Sequence, residues 1–235
     1  MKMMRFISIK HFDRLARRLI PILAIFTFFL IVYGSIGGLH LAPADYQQGN
    51  AFRIIYVHVP SALLSLLIYL LTGIAAAIGL IFRIKLFDML VSGSLLLGAW
   101  FTFLALVTGC IWAKPMWGTW WVWDARLTSE LILLFLYLGV IALRAVIPEP
   151  GIATQASAVL LMLGLVNLPI IHYSVYWWNT LHQGSSIRLL GPSLISPSML
   201  YPLFAMIFAF VAYYFLIVLL HVRCQILEKE TSLYS

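Results

Sequence analysis

Charged residues are scarce in this sequence. Only 10% of the 235 residues are Asp, Glu, Lys or Arg, whereas 63% are hydrophobic. A water-soluble globular domain usually carries about 25% charged residues, because most of its surface faces solvent. The scarcity of charge therefore excludes an ordinary soluble domain, and it predicts that membrane lipid surrounds most of the chain.

Cysteine is also nearly absent. The two cysteines, Cys110 and Cys224, are predicted on opposite sides of a bilayer, so they cannot bridge, and the sequence has no CxxC pair. It likewise lacks internal repeats and a GxxxxGK[ST] phosphate-binding loop. These absences exclude a disulfide scaffold and ATP hydrolysis by this chain, and they favour a single domain over residues 1–235.

Long apolar stretches dominate what is present. A helix rises about 1.5 Å per residue, so it needs roughly 20 apolar residues to cross the hydrocarbon core. The first stretch is too long for a signal peptide and lacks a convincing cleavage site, so it is expected to remain as a span. The sequence thus predicts an all-α fold with six transmembrane helices, near residues 19–39, 54–82, 89–111, 128–147, 155–173 and 199–221.

Basic residues are distributed unevenly between the two sides of this predicted bundle. Eleven of the 15 Lys and Arg residues fall on the side of the termini and four on the other side. Cytoplasmic loops retain basic residues, so both termini are predicted to be cytoplasmic. This topology explains the net charge of +7 without a nucleic-acid partner. The predicted outer loops are 40–53, 112–127 and 174–198.

Tryptophan is concentrated in one of these outer loops. Five of the eight tryptophans lie within twelve residues, in the segment IWAKPMWGTWWVWDARLTSE. An aromatic belt at the headgroups would spread them over many span ends. The spacing of Trp117, Trp120, Trp121 and Asp124 instead predicts a short helix lying along the membrane surface, with three indoles on one side. The five tryptophans are Trp112, Trp117, Trp120, Trp121 and Trp123.

A flat surface of indoles suits a planar aromatic ligand with charged edges, and porphyrin fits that description. Lys114 and Arg126 flank the indoles. Cations bind carboxylates through charge-assisted hydrogen bonds, so these two side chains could pair with haem propionates. Contact with lipid headgroups is the alternative for both.

Four histidines are predicted near the outer face: His40, His58, His172 and His182. Haem iron accepts neutral imidazole as an axial ligand. His58 begins the second span and His182 lies in the third outer loop, so both could approach the tryptophan segment from opposite sides. His172 lies deeper, and a structural role or a place in the pocket wall remain open for it.

Two further polar residues are predicted in the outer half of the membrane, Glu130 and Asn167. Polar groups inside a bilayer are costly and often functional. A carboxylate at a helix N-terminus is also stabilised by the helix dipole. This offers Glu130 a purely structural explanation beside the functional one.

The segment WGTWWVWDARLTSE resembles the WWD signature of the haem-handling membrane proteins of cytochrome c maturation. YVHVPSA at 56–62, APADYQQGN at 42–50 and NLPIIHYSVYWWNTLHQGSS at 167–186 extend the likeness. Together these segments make the chain similar to the cytochrome c maturation protein C (CcmC) family, also called haem exporter protein C. The likeness runs from about residue 40 to 186.

This resemblance implies a multi-pass protein of the bacterial inner membrane that holds b-type, non-covalent haem at its periplasmic face. His58 and His182 would be the axial ligands of the iron. The implied role is delivery of haem to the chaperone CcmE, with the small subunit CcmD and the ABC transporter subunits CcmA and CcmB as further partners. The residues predicted to bind haem are His58, His182, Trp117, Trp120, Trp121, Trp123, Asp124 and Arg126.

The favoured function is delivery of haem by a protein that is not an enzyme. Three other functions are the alternatives. A permease would carry haem through the bundle, but few charged residues are predicted mid-span. A haem lyase of the related synthetase type would carry a second histidine pair within the membrane, where only His172 clearly lies. An electron-transfer subunit would need histidine pairs that face each other inside the spans. Permease and lyase stay open, as does ligation by His40 or His172.

Overall fold

A computed structural model describes residues 9–182 and 195–231. Residues 1–8, 183–194 and 232–235 lie outside this description. Residues 183–194 belong to the predicted third outer loop. The described residues form helices and no β-strand. The helices are α1 (Ile9–Ser35), α2 (Ile55–Phe82), α3 (Lys85–Trp117), α4 (Ala125–Val146), α5 (Pro150–Gly164), α6 (Asn167–Trp177) and α7 (Pro197–Thr231).

Within the described residues, six helical segments are long and apolar enough to cross a membrane. The prediction of an all-α chain with six spans is therefore confirmed, whereas the cytoplasmic placement of the termini stays a prediction. A π-helical turn extends the first span and a 3-10 turn begins the second. The six segments are Ile9–Leu41, Asn50–Phe82, Lys85–Trp117, Ala125–Val146, Pro150–Trp177 and Pro197–Glu228.

Helix α3 extends further than predicted, and the predicted surface helix in the tryptophan segment is wrong. The third span does not stop near residue 111 but continues to Trp117. Gly118 ends the helix with a left-handed φ of 77°, which glycine adopts without steric cost. Residues 118–124 are irregular, and Asp124 then caps α4. Trp112 and Trp117 therefore lie on α3, whereas Trp120, Trp121 and Trp123 lie in the irregular connection to α4.

The fifth span consists of two helices, α5 and α6, separated by a break at residues 165–166. Pro169 lies in the first turn of α6 and has no N–H for the carbonyl of Leu165, which accepts a 3.2 Å bond from the Leu168 N–H instead. The Asn167 side chain donates a 2.9 Å hydrogen bond to the Ser129 carbonyl. Asn167 thereby joins α6 to the N-terminal end of α4.

The core lies where α2, α3, α4 and α5 pack together, with α7 on one side and α1 packed mainly on α7. Tyr69 and Tyr137 are fully buried there, and their rings meet edge to face at 4.9 Å. The Tyr137 hydroxyl donates to the Ser65 carbonyl at 3.1 Å, which satisfies one polar group inside the bundle. Gly98 lies against the Tyr137 ring and leaves no room for a Cβ. This packing fixes α2, α3 and α4 relative to one another, and those helices form the site.

Candidate functional site

A cavity of about 110 Å³ lies among α2, α3 and α4, at the end of the bundle that carries the tryptophan segment. With its open mouth included, the space between the walls is about 820 Å³. Two connecting segments complete the wall, one before α2 and one after α6. The polar and aromatic residues that line the cavity are Gln48, His58, Trp112, Trp117, Arg126, Glu130 and His182.

His58 is placed by the first turn of α2 and is held against α3. Its Nδ1 lies 3.0 Å from the hydroxyl of Thr108. Its ring meets the indole of Trp112 edge to face, with the two centroids 5.6 Å apart. The imidazole is therefore oriented by α3 while it lines the cavity.

The opposite imidazole, His182, follows α6 and is positioned through Asp124. One carboxylate oxygen of Asp124 accepts the Leu127 N–H at 2.8 Å and caps α4, and the other accepts a hydrogen bond from Thr180. The same Thr180 hydroxyl accepts the backbone N–H of His182 at 3.0 Å. The ring of His182 lies edge to face against Trp117, with centroids 6.1 Å apart. Asp124 thus links the N-terminus of α4 to the segment that carries His182.

Arg126 and Glu130 lie one turn apart on α4 and share its cavity face. Arg126 donates to the Ile171 carbonyl of α6 at 3.0 Å. A guanidinium carries five N–H donors, so others remain at the cavity wall. Glu130 is buried deeper along α4, and its carboxyl group accepts a 2.6 Å hydrogen bond from Ser65. The cationic group is nearer the N-terminal end of α4 than the carboxyl group.

The loop between the first two spans places Gln48 on the cavity. Asp45 accepts the backbone N–H groups of Gln47 and Gln48 at 2.9 and 2.8 Å, and Gly49, with a φ of 57°, closes the turn. The Gln48 side chain then accepts the indole N–H of Trp112 at 2.9 Å. This bond joins the loop to α3 beside His58.

Arg53 fixes the base of the same loop. Its guanidinium donates to the carbonyls of Gly38, Leu39 and Ala42 at 3.2, 2.6 and 2.8 Å. These are carbonyls at the end of the first span, where a helix lacks internal partners and favours a cation. Arg53 therefore anchors the first span to the start of the second.

The structure brings together four of the eight predicted haem-binding residues, His58, His182, Trp117 and Arg126, in one cavity. Asp124 positions His182 but does not line the cavity. The indole N–H of Trp121 is buried and has no partner among the described residues. The three predicted indoles that do not line the cavity are Trp120, Trp121 and Trp123.

Other predicted candidates lie away from the cavity. Lys114 is exposed, donates to the Gly118 carbonyl at 3.0 Å and stands 6.0 Å from the Trp120 ring. His40 and His172 are exposed and absent from the cavity wall, so the suggestion that His172 lines the pocket is wrong. The neighbouring Ile171 is fully buried and its carbonyl accepts the Arg126 hydrogen bond, so α6 turns this side toward α4 while His172 is exposed beside Tyr173.

The sequence interpretation missed Gln48 and Trp112 in the wall and left Glu130 undecided. A signal for Trp112 was present, because small residues, a tryptophan and a methionine recur with helical spacing along α3. Reading the third span as ending near residue 111 hid this stripe. Its cavity-lining members are Ala105, Gly109, Trp112 and Met116.

The donor set of this cavity fits haem. Two imidazoles from separate segments can each offer a nitrogen to iron, a guanidinium can bind a propionate, and indoles supply an apolar lining. Glu130 is the single carboxyl group among the described lining residues. The arrangement suits a ligand that is apolar in its body and anionic at one edge.

Comparison with known proteins identifies relatives over almost the whole chain. The family model described as "Heme exporter protein C" matches residues 2–234. A Haemophilus influenzae protein of that name is 49% identical over 219 residues, covering 93% of this chain and 89% of the relative. The Escherichia coli K12 protein of that name is 53% identical over 211 residues, covering 90% and 85%.

The similarity extends to a plant protein. A Marchantia polymorpha protein named "Putative cytochrome c biosynthesis ccmC-like mitochondrial protein" is 45% identical over 199 residues, covering 85% of this chain and 83% of the relative. The resemblance noted in the sequence motifs is confirmed by these matches. The chain belongs to the heme exporter protein C family.

Proposed function

We propose that this chain binds haem in the cavity among α2, α3 and α4 and passes it on during cytochrome c maturation. The names of its relatives support a role in haem export or transfer. The observation that carries the proposal is the presence of His58, His182 and Arg126 in one cavity. The smaller cavity near Asp88 and Arg144 has no histidine among its described lining residues.

Each of these residues has a separate task in the proposal. When bound, haem would supply an iron that can accept imidazole nitrogen. His58 and His182 provide those nitrogens from α2 and from the segment after α6. Trp112 and Trp117 pack against the two imidazole rings. The indoles thereby restrain both ligands and cover the porphyrin with apolar surface.

The charges of Arg126 and Glu130 favour one orientation of the bound haem. A propionate is stabilised beside the guanidinium of Arg126, whereas the carboxyl group of Glu130, one turn deeper, offers it no cation. We propose that the propionates lie toward the outer end of α4. The enclosed 110 Å³ is smaller than pockets that bury a whole ligand, typically about 300–1,000 Å³. Part of the porphyrin therefore stays in the open mouth, where a partner can take it.

The cavity lies at the end of the spans opposite the chain termini. The excess of basic residues on the terminal side supports cytoplasmic termini, which makes the cavity periplasmic in a bacterial inner membrane. We propose that haem, held non-covalently, passes from there to CcmE. CcmD and the transporter subunits CcmA and CcmB are the further partners proposed, and the latter pair would supply ATP hydrolysis.

A permease receives less support from the structure. A second cavity, near Asp88, Arg144 and Thr154 at the opposite end of the bundle, has a volume of only about 30 Å³. That is room for about one or two waters and not for a porphyrin. An enzyme is also less well supported, because the relatives are named for export. We propose that this chain holds and transfers haem without making a covalent bond to it.

The proposed ligands are tested by haem spectra of purified variants. The protein would be purified in detergent and loaded with hemin, as wild type and as His58→Ala, His182→Ala, His40→Ala and His172→Ala. Loss of the low-spin spectrum in the first two variants alone is expected, since the last two histidines lie outside the cavity. Low-spin haem that persists in both cavity variants would refute this ligand pair.

A further inference from the structure

Three residues of α3 hold the imidazole of His58. Thr108 contacts the ring nitrogen Nδ1 at 3.0 Å. A Cβ on Gly109 would lie 3.1 Å from the His58 Cε1, so glycine leaves just enough space for the ring. Trp112 covers another edge, with centroids 5.6 Å apart. The ring is therefore restrained from one side, where its polar contacts are the Thr108 hydroxyl and the backbone of Ala105.

The hydrogen bonds of Thr108 determine which atom is the donor. Its hydroxyl lies 2.6 Å from the carbonyl of Leu104 and 3.2 Å from that of Ala105. A carbonyl oxygen only accepts, so the single hydroxyl proton points to the helix backbone. Thr108 Oγ1 consequently faces His58 with a lone pair. The proton between the two side chains belongs to His58 Nδ1.

We propose that Thr108 is a positioning residue that fixes neutral His58 in the Nδ1–H tautomer, so that the Nε2 lone pair is available to a metal in the cavity. The inference rests on the proposed haem-binding function. Histidines that bind metals commonly donate their other ring N–H to a fixed acceptor, which sets the tautomer and raises ligand basicity. Loss of such an acceptor typically costs about 10- to 100-fold in metal affinity.

Thr102 offers a matched comparison on the same helix. It is fully buried, and its hydroxyl donates to the Gly98 carbonyl at 2.7 Å, four residues earlier, as that of Thr108 does to Leu104. Among the described contacts, only the hydroxyl of Thr108 also meets a histidine. A threonine bond to the helix backbone is thus common to both positions, and any effect on haem specific to Thr108 comes from His58.

The test uses Thr108→Val, Thr108→Ser and the control Thr102→Val, each purified in detergent and loaded with hemin. The rate at which haem transfers to excess apomyoglobin gives the rate at which haem dissociates from each variant. Thr108→Val is expected to release haem about tenfold faster than wild type. Thr108→Ser, which keeps the hydroxyl, and Thr102→Val should stay within about twofold of wild type.

Haem-free protein provides the second measurement. Nitrogen-15 NMR of protein labelled at histidine identifies the His58 signals by their loss in His58→Ala. Wild type should show the Nδ1–H tautomer, and Thr108→Val a mixture of both. Gly109→Ala is a further probe, because its Cβ displaces the ring from Thr108 and should produce the same mixture. It keeps the test informative should Thr108→Val not fold.

The outcomes separate the inference from the function on which it rests. Low-spin haem retained in His58→Ala overturns the proposed ligation itself. If His58→Ala loses low-spin haem but Thr108→Val matches wild type in rate and tautomer, only the positioning role of Thr108 is overturned. An equal acceleration in Thr102→Val would assign the effect to α3 packing and would also contradict that role.

Discussion

Asp124 illustrates how a single side chain in this protein can serve both an element and the site. It was predicted to bind haem, and the structure places it at the N-cap of α4, where it also accepts a hydrogen bond from Thr180. Thr180 in turn accepts the backbone N–H of His182. The Asp124 carboxylate therefore acts on His182, the proposed iron ligand, through Thr180.

Variants that separate the capping of α4 from the support of the His182 segment give a first prediction. Asp124→Ala removes the cap, which is worth about 0.5–2 kcal/mol, and also releases the His182 segment. Thr180→Val removes only the link to that segment. We expect Asp124→Ala to lower both thermal stability in detergent and haem retention, and Thr180→Val to lower haem retention alone. Equal haem retention in Thr180→Val and wild type would show that this link does not position His182.

Arg126 gives a second prediction, on the orientation of the bound haem. The structure places its guanidinium in the cavity wall, and a charge-assisted hydrogen bond contributes about 1.5–3 kcal/mol. Wild type should bind haem at least about tenfold more tightly than haem dimethyl ester, whose propionates are neutral. Arg126→Ala should reduce this preference to near one, as measured by titration of both compounds. An unchanged preference would place the propionates elsewhere.

Sequence patterns identified the chemistry of the site better than its geometry. His58, His182 and Arg126 were predicted because residue type and motif context carry that information. Trp120 and Trp123 were predicted to bind haem, yet they are 55% and 76% exposed and lie outside the cavity. The helical spacing of Trp117, Trp120, Trp121 and Asp124 was misleading, because residues 118–124 are not helical.

At the scale of elements, Gly118 determines where α3 ends and hence where Trp117 lies. A side chain at a left-handed φ costs about 1–2 kcal/mol, so Gly118→Ala should destabilise the protein by about that amount. Gly139→Ala is the matched control, because Gly139 lies inside α4 and a Cβ there makes only an ordinary contact at 3.6 Å with Leu160. Thermal unfolding monitored by tryptophan fluorescence compares the two. A neutral Gly118→Ala would show that the helix end tolerates other backbone geometry.

Spans were easier to predict than their ends. Apolar length determines whether a segment can cross a bilayer, so all six spans were found from composition. Their limits depend on local backbone chemistry, such as the positive φ of Gly118 and the missing N–H of Pro169. The contacts of Gln48 and Thr108 depend on the way separate spans pack, and no local pattern encodes them.

At the scale of the whole molecule, the proposed function requires the cavity to face the periplasm. With Cys110 and Cys224 replaced by serine, single cysteines would be introduced at Tyr46 and Leu227, which are 90% and 46% exposed and lie at opposite ends of the bundle. A membrane-impermeant maleimide added to cells permeabilised only at the outer membrane should label Tyr46→Cys and not Leu227→Cys. The reverse labelling pattern would place the termini, and not the cavity, in the periplasm.

The packing of the bundle explains why the two imidazoles line one cavity. Buried contacts such as that between Tyr69 and Tyr137 fix α2, α3 and α4, while Arg126 fastens α6 to α4 and Asp124 fastens the segment that follows α6. His58 and His182 are far apart in sequence and both line one cavity. The site is thus a product of the whole fold.

Rescue by free imidazole tests the ligation of one haem by both histidines most directly. His58→Gly and His182→Gly, each loaded with hemin, should lose the low-spin spectrum and regain it when imidazole is added, and His172→Gly should resemble wild type throughout. Low-spin haem that survives in either cavity variant without imidazole would contradict ligation by this pair.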